Sequence, residues 1–273
     1  MAGALEGKVA IVTGGGSGIG EELCVELARR GARVIVADIR KEDADRVAVA
    51  IGGNAESRHV DVTAEADVRD LVDETVTAYG RLDYMFNNAG IAIGGDARDI
   101  TLDHWRKVLD VDLYGVLYGS LAAYPIMARQ GFGHIVNIAS AAGLIPLPMS
   151  MPYSTAKHAV VGFSRSLRLE AADLGVRVSV VCPGWVRTAI YENAVAVNLP
   201  AALKTPKVKM VEPARAAREI LDGVARNAEI IVFPASIRML RRVHFFFPRL
   251  IYPPFRRAIR EARRQRIDHA AES

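Results

Sequence analysis

Tyr153 and Lys157 stand four residues apart in PYSTAKHAV, the spacing that puts two side chains on one face of a helix. A phenol ordinarily titrates near about 10, too high for a base at neutral pH. A lysine ammonium beside it favours the phenolate, and a second positive charge nearby brings it into working range. Taken alone, Tyr-xxx-Lys is common by chance and often only a surface pair. Ser140, thirteen residues earlier at the end of a candidate strand, adds a hydroxyl able to hold a substrate oxygen. A phenol, an ammonium and a hydroxyl converging on one oxygen would make a proton-transfer site.

A second constellation lies near the start of the chain. The run Thr13-Gly14-Gly15-Gly16-Ser17-Gly18-Ile19-Gly20 follows an apolar strand and opens a helix. Such a turn lets backbone approach a pyrophosphate, while the helix N-terminus offers free N–H groups and the positive end of its dipole. The alternative is a tight strand–helix connection and nothing more; the position after the first strand favours binding. The spacing is TGxxxGxG rather than the GxGxxG of the usual dinucleotide fingerprint. Asp38 closes the second strand, 20 residues after Gly18. A carboxylate there accepts hydrogen bonds from two ribose hydroxyls and repels a 2′-phosphate, which favours NAD over NADP. Arg40 weakens that exclusion without replacing Asp38.

These groups need a frame. Near-continuous apolar runs at 8–13, 33–38, 58–62, 82–87, 134–139, 177–182 and 229–233 read as strands covered on both faces. Helical patterns lie between them, near 18–30, 41–51, 64–79, 101–130, 153–173 and 212–226, with Thr63 and Thr101 as candidate helix starts. Strict alternation predicts an α/β fold: a doubly wound, Rossmann-type parallel sheet of about seven strands with helices on both faces. No linker divides residues 1–233, read as one dinucleotide-binding and catalytic domain, and 234–273 follow as a C-terminal extension.

In this order, TGGGSGIG (13–20), NNAG (87–90), Ser140 with YSTAK (153–157), and PGWVRT (183–188) resemble the short-chain dehydrogenase/reductase family. LEGKVAIVTGG (5–15) and the triplet DVT (61–63) match as well, and the resemblance covers about residues 5–233. It implies NAD(P) as hydride carrier and an alcohol–carbonyl interconversion. Carried over by position, Gly14, Ser17, Gly18 and Ile19 line the pyrophosphate, Asp38 takes the adenosine ribose, and Asp61 and Val62 flank adenine. Asn88, Ala89, Gly90, Tyr153 and Lys157 serve the nicotinamide ribose, and Pro183, Gly184, Val186 and Thr188 hold the nicotinamide. Ser140 orients the substrate oxygen, Tyr153 exchanges its proton, and Lys157 lowers the tyrosine's pKa and feeds a proton relay. One position departs. Asp112, in LDVDLYGV, stands where the family has an asparagine that helps hold a relay water through its main-chain carbonyl. Aspartate keeps that carbonyl and adds a negative charge, so Asp112 joins the catalytic candidates.

Segments 141–152 and 189–200 should border the substrate. Leu144, Ile145, Leu147, Met149, Met151, Trp185, Ile190 and Tyr191 offer apolar surface there, fitting a neutral hydrophobic alcohol or ketone better than a sugar or a phosphorylated substrate. Two alternatives stay open: an NADP-dependent carbonyl or 3-oxoacyl reductase, and a non-catalytic NAD-binding sensor on the same fold. His134, Met127 and Tyr114, Tyr118 and Tyr124 read as structural.

Composition supports a soluble, cytoplasmic enzyme: 51% hydrophobic and 24% charged residues, with only two cysteines, Cys24 and Cys182, neither in a CxxC pair. No metal site is expected, and no stretch reads as a signal peptide or a spanning helix. Charge is uneven. Residues 234–273 carry ten arginines against three acids, a net +7, and leave the body at −3, which gives no hint of a nucleic-acid partner. Within the extension, Ile237, Leu240, Val243 and Phe247, then Phe255, Ala258, Ile259 and Ala262, recur at helical spacing among arginines. Two short amphipathic helices there suit a cap over the substrate mouth, a peripheral membrane contact, or packing on a neighbouring subunit. The family resemblance further implies a homo-oligomer, a tetramer, paired through the long helices near 101–130 and 153–173.

Overall fold

A computed structural model describes residues 4–200 and 208–266. Seven strands form one parallel sheet: β1 (Val9–Thr13), β2 (Arg33–Asp38), β3 (Ala55–His59), β4 (Tyr84–Asn87), β6 (Gly133–Ile138), β7 (Val176–Pro183) and β9 (Ile230–Phe233). Their order is β3-β2-β1-β4-β6-β7-β9, so the chain winds outward from β1 in one direction and then from β4 in the other. Two further short strands, β5 (Ile93–Gly95) and β8 (Val195–Val197), pair with each other outside this sheet.

Both faces of the sheet are covered, which is why its central strands are predominantly apolar. Every residue of β1 is buried. One layer packs Ala10, Val12 and Val34 against α1 (Gly18–Arg29), α2 (Lys41–Ile51) and α8 (Pro213–Ala225). The other packs Ile11, Ile35 and Ile135 against α3 (Glu65–Tyr79), α5 (Gly115–Gln130) and α6 (Met151–Ala171). Between β4 and β6 a buried polar chain stitches sheet to helix: the Asn87 amide donates to Asn137 (2.8 Å) and Ser120 (3.1 Å), and the Asn137 amide donates to Ser164 (2.9 Å).

Two elements differ from the sequence reading. The edge strand β3 lies at Ala55–His59 rather than 58–62. Edge strands are covered less completely and lose the apolar signal, and here the buried Val60 and Val62 belong to the loop beyond the strand. The long helix expected over 101–130 is interrupted. α4 (Leu102–Leu109) passes through a π-helical turn, Asp110–Tyr114, into α5. Thr101 does cap α4, in a reciprocal arrangement with His104, whereas Ala64, not Thr63, precedes α3. After β9 the chain forms α9 (Ala235–Phe246), a single 3-10 turn and α10 (Tyr252–Arg264).

Candidate active site

The carboxyl ends of β1, β2, β4, β6 and β7 open into one cavity of about 870 Å³, at the point where strand order reverses. All sixteen residues expected to hold the dinucleotide line it, as does Ser140. The turn after β1 is shaped for close approach. Gly14 has φ +61°, and a Cβ there would meet Ala89 Cα at 2.8 Å; Gly18 has φ +58°, and a Cβ there would press on Thr188 at 3.0 Å. Ser17 precedes α1 without spending its side chain on a cap, so the first-turn N–H groups stay available to an anion. The Asn88 side-chain amide donates to the carbonyls of Thr13 (3.0 Å) and Gly14 (3.1 Å), clamping this turn from the next strand.

Asp38 is buried at the end of β2. Its Oδ2 accepts from Gly16 N–H at 2.9 Å and its Oδ1 from Arg40 N–H at 3.0 Å, fixing the carboxylate as an acceptor facing the cavity. The Arg40 guanidinium is held by Asp43 at 2.7 Å. A glycine cradle, uncapped N–H groups and an oriented carboxylate fit a dinucleotide.

Three strands across the sheet, at the end of β6, Ser140 starts a short 3-10 turn and accepts from Ala142 N–H at 3.1 Å. Ser154 in α6 donates to the Ala142 carbonyl at 2.9 Å, so the serine loop and the tyrosine helix move as one piece. α6 begins at Met151 with Pro152 in its first turn, as the fixed φ of proline favours. It presents Tyr153 and Lys157 one turn apart, with the ammonium 5.5 Å from the ring centroid. Lys157 is buried and donates to the Ile138 carbonyl at 3.1 Å.

Asp112 meets Lys157 through its side chain, not only through its backbone. Wholly buried on the π-helical turn, it places Oδ2 3.0 Å from Lys157 Nζ, while Oδ1 accepts from Ile91 N–H at 2.8 Å. It lies behind the cavity wall and does not line it. Beyond the main-chain carbonyl that the sequence reading considered, the carboxylate is a direct ionic partner of the lysine. Burial works against the lysine's charge, yet the facing carboxylate prevails and holds Lys157 above its ordinary range. Tyr153 is raised, chiefly by burial. Lys157 and a Ser140 hydrogen bond pull it down, and Asp112 pushes it further up.

Of the substrate-side residues, Ile145, Leu147, Met149, Trp185, Ile190 and Tyr191 line the cavity. Leu144 and Met151 do not. Leu144 packs against the Val116–Val160 cluster, and Met151 is exposed at the start of α6. Ala194 and Val195 line the cavity from the expected segment 189–200, whereas the sequence reading missed Ile91 and Ile93, and with them the paired strands β5 and β8. These strands are three residues long and carry no periodicity to detect. Ile237 and Leu240 of α9 and Phe255 of α10 also line the cavity, so the extension reaches the site. His134 sits away from it, bonded to Ser179 at 2.9 Å and pushed down to about 3 by burial, hence neutral. Cys24 and Cys182 are buried free thiols.

Fold and site together define a Rossmann-type oxidoreductase. The family description "short chain dehydrogenase" matches residues 8–198, and the chain belongs to the short-chain dehydrogenase/reductase family, enzymes acting on CH–OH groups. It is 38% identical to a cyclohexanol dehydrogenase of Acinetobacter sp. (strain SE19), over 73% of this chain and 82% of that one. It is 42% identical to a 2,5-dichloro-2,5-cyclohexadiene-1,4-diol dehydrogenase of Sphingobium indicum, over 70% of this chain and 77% of the relative. Among solved structures, a short-chain dehydrogenase/reductase from Burkholderia phymatum in complex with NAD superposes with a TM-score of 0.81 at 27% identity, covering 90% of this chain and 96% of that one.

Proposed function

We propose that the protein transfers a hydride between NAD and a hydrophobic secondary alcohol or its ketone, with Tyr153 as the acid/base. The observation that carries this is the single cavity that brings Ser140, Tyr153 and Lys157 together on one side of the switch point and Asp38 on the other. A bound nicotinamide supplies the hydride acceptor or donor and, when oxidised, a positive charge beside the phenol. Gly14, Ser17, Gly18 and Ile19 hold the pyrophosphate, Asp61 and Val62 flank adenine, and Asn88, Ala89 and Gly90 back the second ribose. Pro183, Gly184, Val186 and Thr188, which line the same cavity, would hold the nicotinamide. Asp38 favours NAD, and the reading is supported by the Arg40–Asp43 pair, which keeps the Arg40 guanidinium on a carboxylate rather than free for a 2′-phosphate.

Ser140 positions the substrate oxygen beside the Tyr153 hydroxyl, which gives its proton to a carbonyl or accepts one from an alcohol. Lys157 favours the phenolate, and Asp112 holds Lys157 in place and charged. Because burial raises Tyr153, the residue rests as the protonated acid, and alcohol oxidation should accelerate as pH rises toward the alkaline range. The apolar walls, among them Ile145, Leu147 and Trp185, select an uncharged substrate. The cyclohexanol and cyclohexadienediol dehydrogenase relatives point to cyclic alcohols as the first compounds to try. Two buried, unpaired thiols suit a reducing, cytoplasmic compartment.

The test is a turnover screen of cyclic and acyclic secondary alcohols and their ketones with NAD and NADP in parallel, repeated with Tyr153→Phe. NAD should be preferred, and the variant should bind NAD normally while losing at least ~100-fold in turnover. A preference for NADP overturns the cofactor assignment, and near-normal activity of Tyr153→Phe overturns the role of Tyr153.

A further inference from the structure

The C-terminal helices carry two apolar surfaces, and the cavity uses only one. Ile237, Leu240 and Phe255 face the site. Phe245, Phe246 and Phe247, at the end of α9, are between 62 and 77% exposed, and Leu250 in the following turn is 65% exposed. The three rings touch in series, with centroids 5.0 and 6.5 Å apart, so they form one patch. A contiguous exposed patch of this kind marks an interaction site, whereas a single exposed apolar residue would not.

The segment that carries it is cationic. From Pro234 to Arg264 the chain holds nine arginines and one acid, Glu261. Arg263 is paired with Asp96 and Arg264 with Glu261, and Arg238 donates to the Val232 carbonyl. Arg241, Arg242, Arg249, Arg256, Arg257 and Arg260 make no ion pair with any described residue, and all are exposed. Burying so many unpaired guanidinium groups against protein would require a matching set of carboxylates, because a buried charge left without a partner is strongly destabilising. An anionic lipid surface needs no such match. Its headgroups neutralise arginines one by one, and its interfacial layer takes aromatic rings.

We propose that the Phe245-Phe246-Phe247 tip with Leu250 inserts into the interface of an anionic membrane, held there by the surrounding arginines, with the cavity-lining faces of α9 and α10 turned toward the substrate. The contact is peripheral: among the described residues no helix is long and apolar enough to cross a membrane. Delivery of apolar substrate from the bilayer rests on the hydrophobic-alcohol reading; the lipid contact does not.

The experiment floats the full-length protein with vesicles of phosphatidylcholine alone and of phosphatidylcholine with phosphatidylglycerol, at low and high salt. Binding is expected only to the anionic vesicles, with release by salt. Phe245→Ser/Phe246→Ser/Phe247→Ser should weaken it by ~10-fold or more, and Arg241→Glu/Arg242→Glu/Arg249→Glu should abolish it. NAD binding and turnover of a small water-soluble alcohol, measured without vesicles, should be unchanged in both variants, which keeps this test separate from that of the activity. Failure to bind anionic vesicles, or binding that survives both variants, overturns the proposal. So does a vesicle-free mass that falls in the phenylalanine variant while vesicles are ignored, which assigns the patch to a second copy of this chain.

Discussion

Asp112 faces Lys157 directly and opposes its effect on Tyr153. Burial raises Asp112 itself, while Lys157, 3.0 Å away, favours its carboxylate form; that carboxylate in turn keeps Lys157 charged and opposes its pull on Tyr153. Lys157 therefore lowers the tyrosine less than an unopposed ammonium would, and Asp112 itself adds to the rise. The sign for Asp112→Asn follows. Removing the negative charge lowers the Tyr153 pKa, so the rising limb of turnover against pH for alcohol oxidation should move to lower pH. A merely structural role would reduce turnover at all pH values without moving that limb. An unmoved limb would therefore show that Asp112 and Tyr153 are not coupled. This coupling was not legible in the sequence. The motif placed Asp112 near the relay, but the π-helical turn that carries its side chain to Lys157 has no sequence signature.

Among the elements, legibility followed burial. The central strands β1, β2, β4, β6 and β7 are covered on both faces and announce themselves as apolar runs, so Asp38, Ser140 and Pro183 at their ends, with Gly14 and Asn88 just beyond, meet in one crevice as expected. β3 was displaced because AESRH is only half-covered, and β5 and β8 were invisible because three residues cannot show a period. In the extension, Ile237, Leu240 and Phe255 turn inward as their spacing predicts, whereas Phe247 and Ala258 do not. What docks α10 is ionic and joins segments far apart in sequence. Arg263 reaches Asp96 at 2.6 Å and Arg266 reaches Asp99 at 2.7 Å, both acids lying in the loop between β5 and α4. Asp96 is buried, also paired with Arg98, and held well below the usual carboxylate range, so these contacts persist at any pH near neutral. A single ion pair with an exposed arginine is worth at most about 1 kcal/mol. Arg263→Ala should therefore raise KM for bulky apolar alcohols by no more than about fivefold and leave NAD affinity alone. A change in NAD affinity of the same size would mean that α10 supports the whole cavity rather than its substrate end.

At the scale of the whole molecule, the apolar residues Leu113, Val116 and Leu121, on the π-helical turn and α5, divide between two environments. Val116 and Leu113 pack against the body, beside Val160 and Ala156 of α6. Leu121, at 54% exposed, and Tyr114, one residue before α5, project outward seven residues apart and so share one face. On α6, Leu169 is 81% exposed. Apolar groups thus project to solvent from both long helices, distinct from the cationic tip of α9, and a stable pairing needs about 1,200 Å² or more of buried surface. Helices of 16 and 21 residues, some 24 and 32 Å long at about 1.5 Å per residue, can supply that when they pack against their copies. The family resemblance implies a homotetramer, and these faces suit one built on α5 and α6, its apolar contacts insensitive to salt, in contrast to the salt-released vesicle binding of the extension. Light scattering at micromolar concentration should give four times the chain mass at both low and high salt, and Leu121→Arg with Leu169→Glu should reduce it. A wild-type monomer would refute the assembly; an oligomer that dissociates with added salt would move the interface from these apolar helices to charged surface.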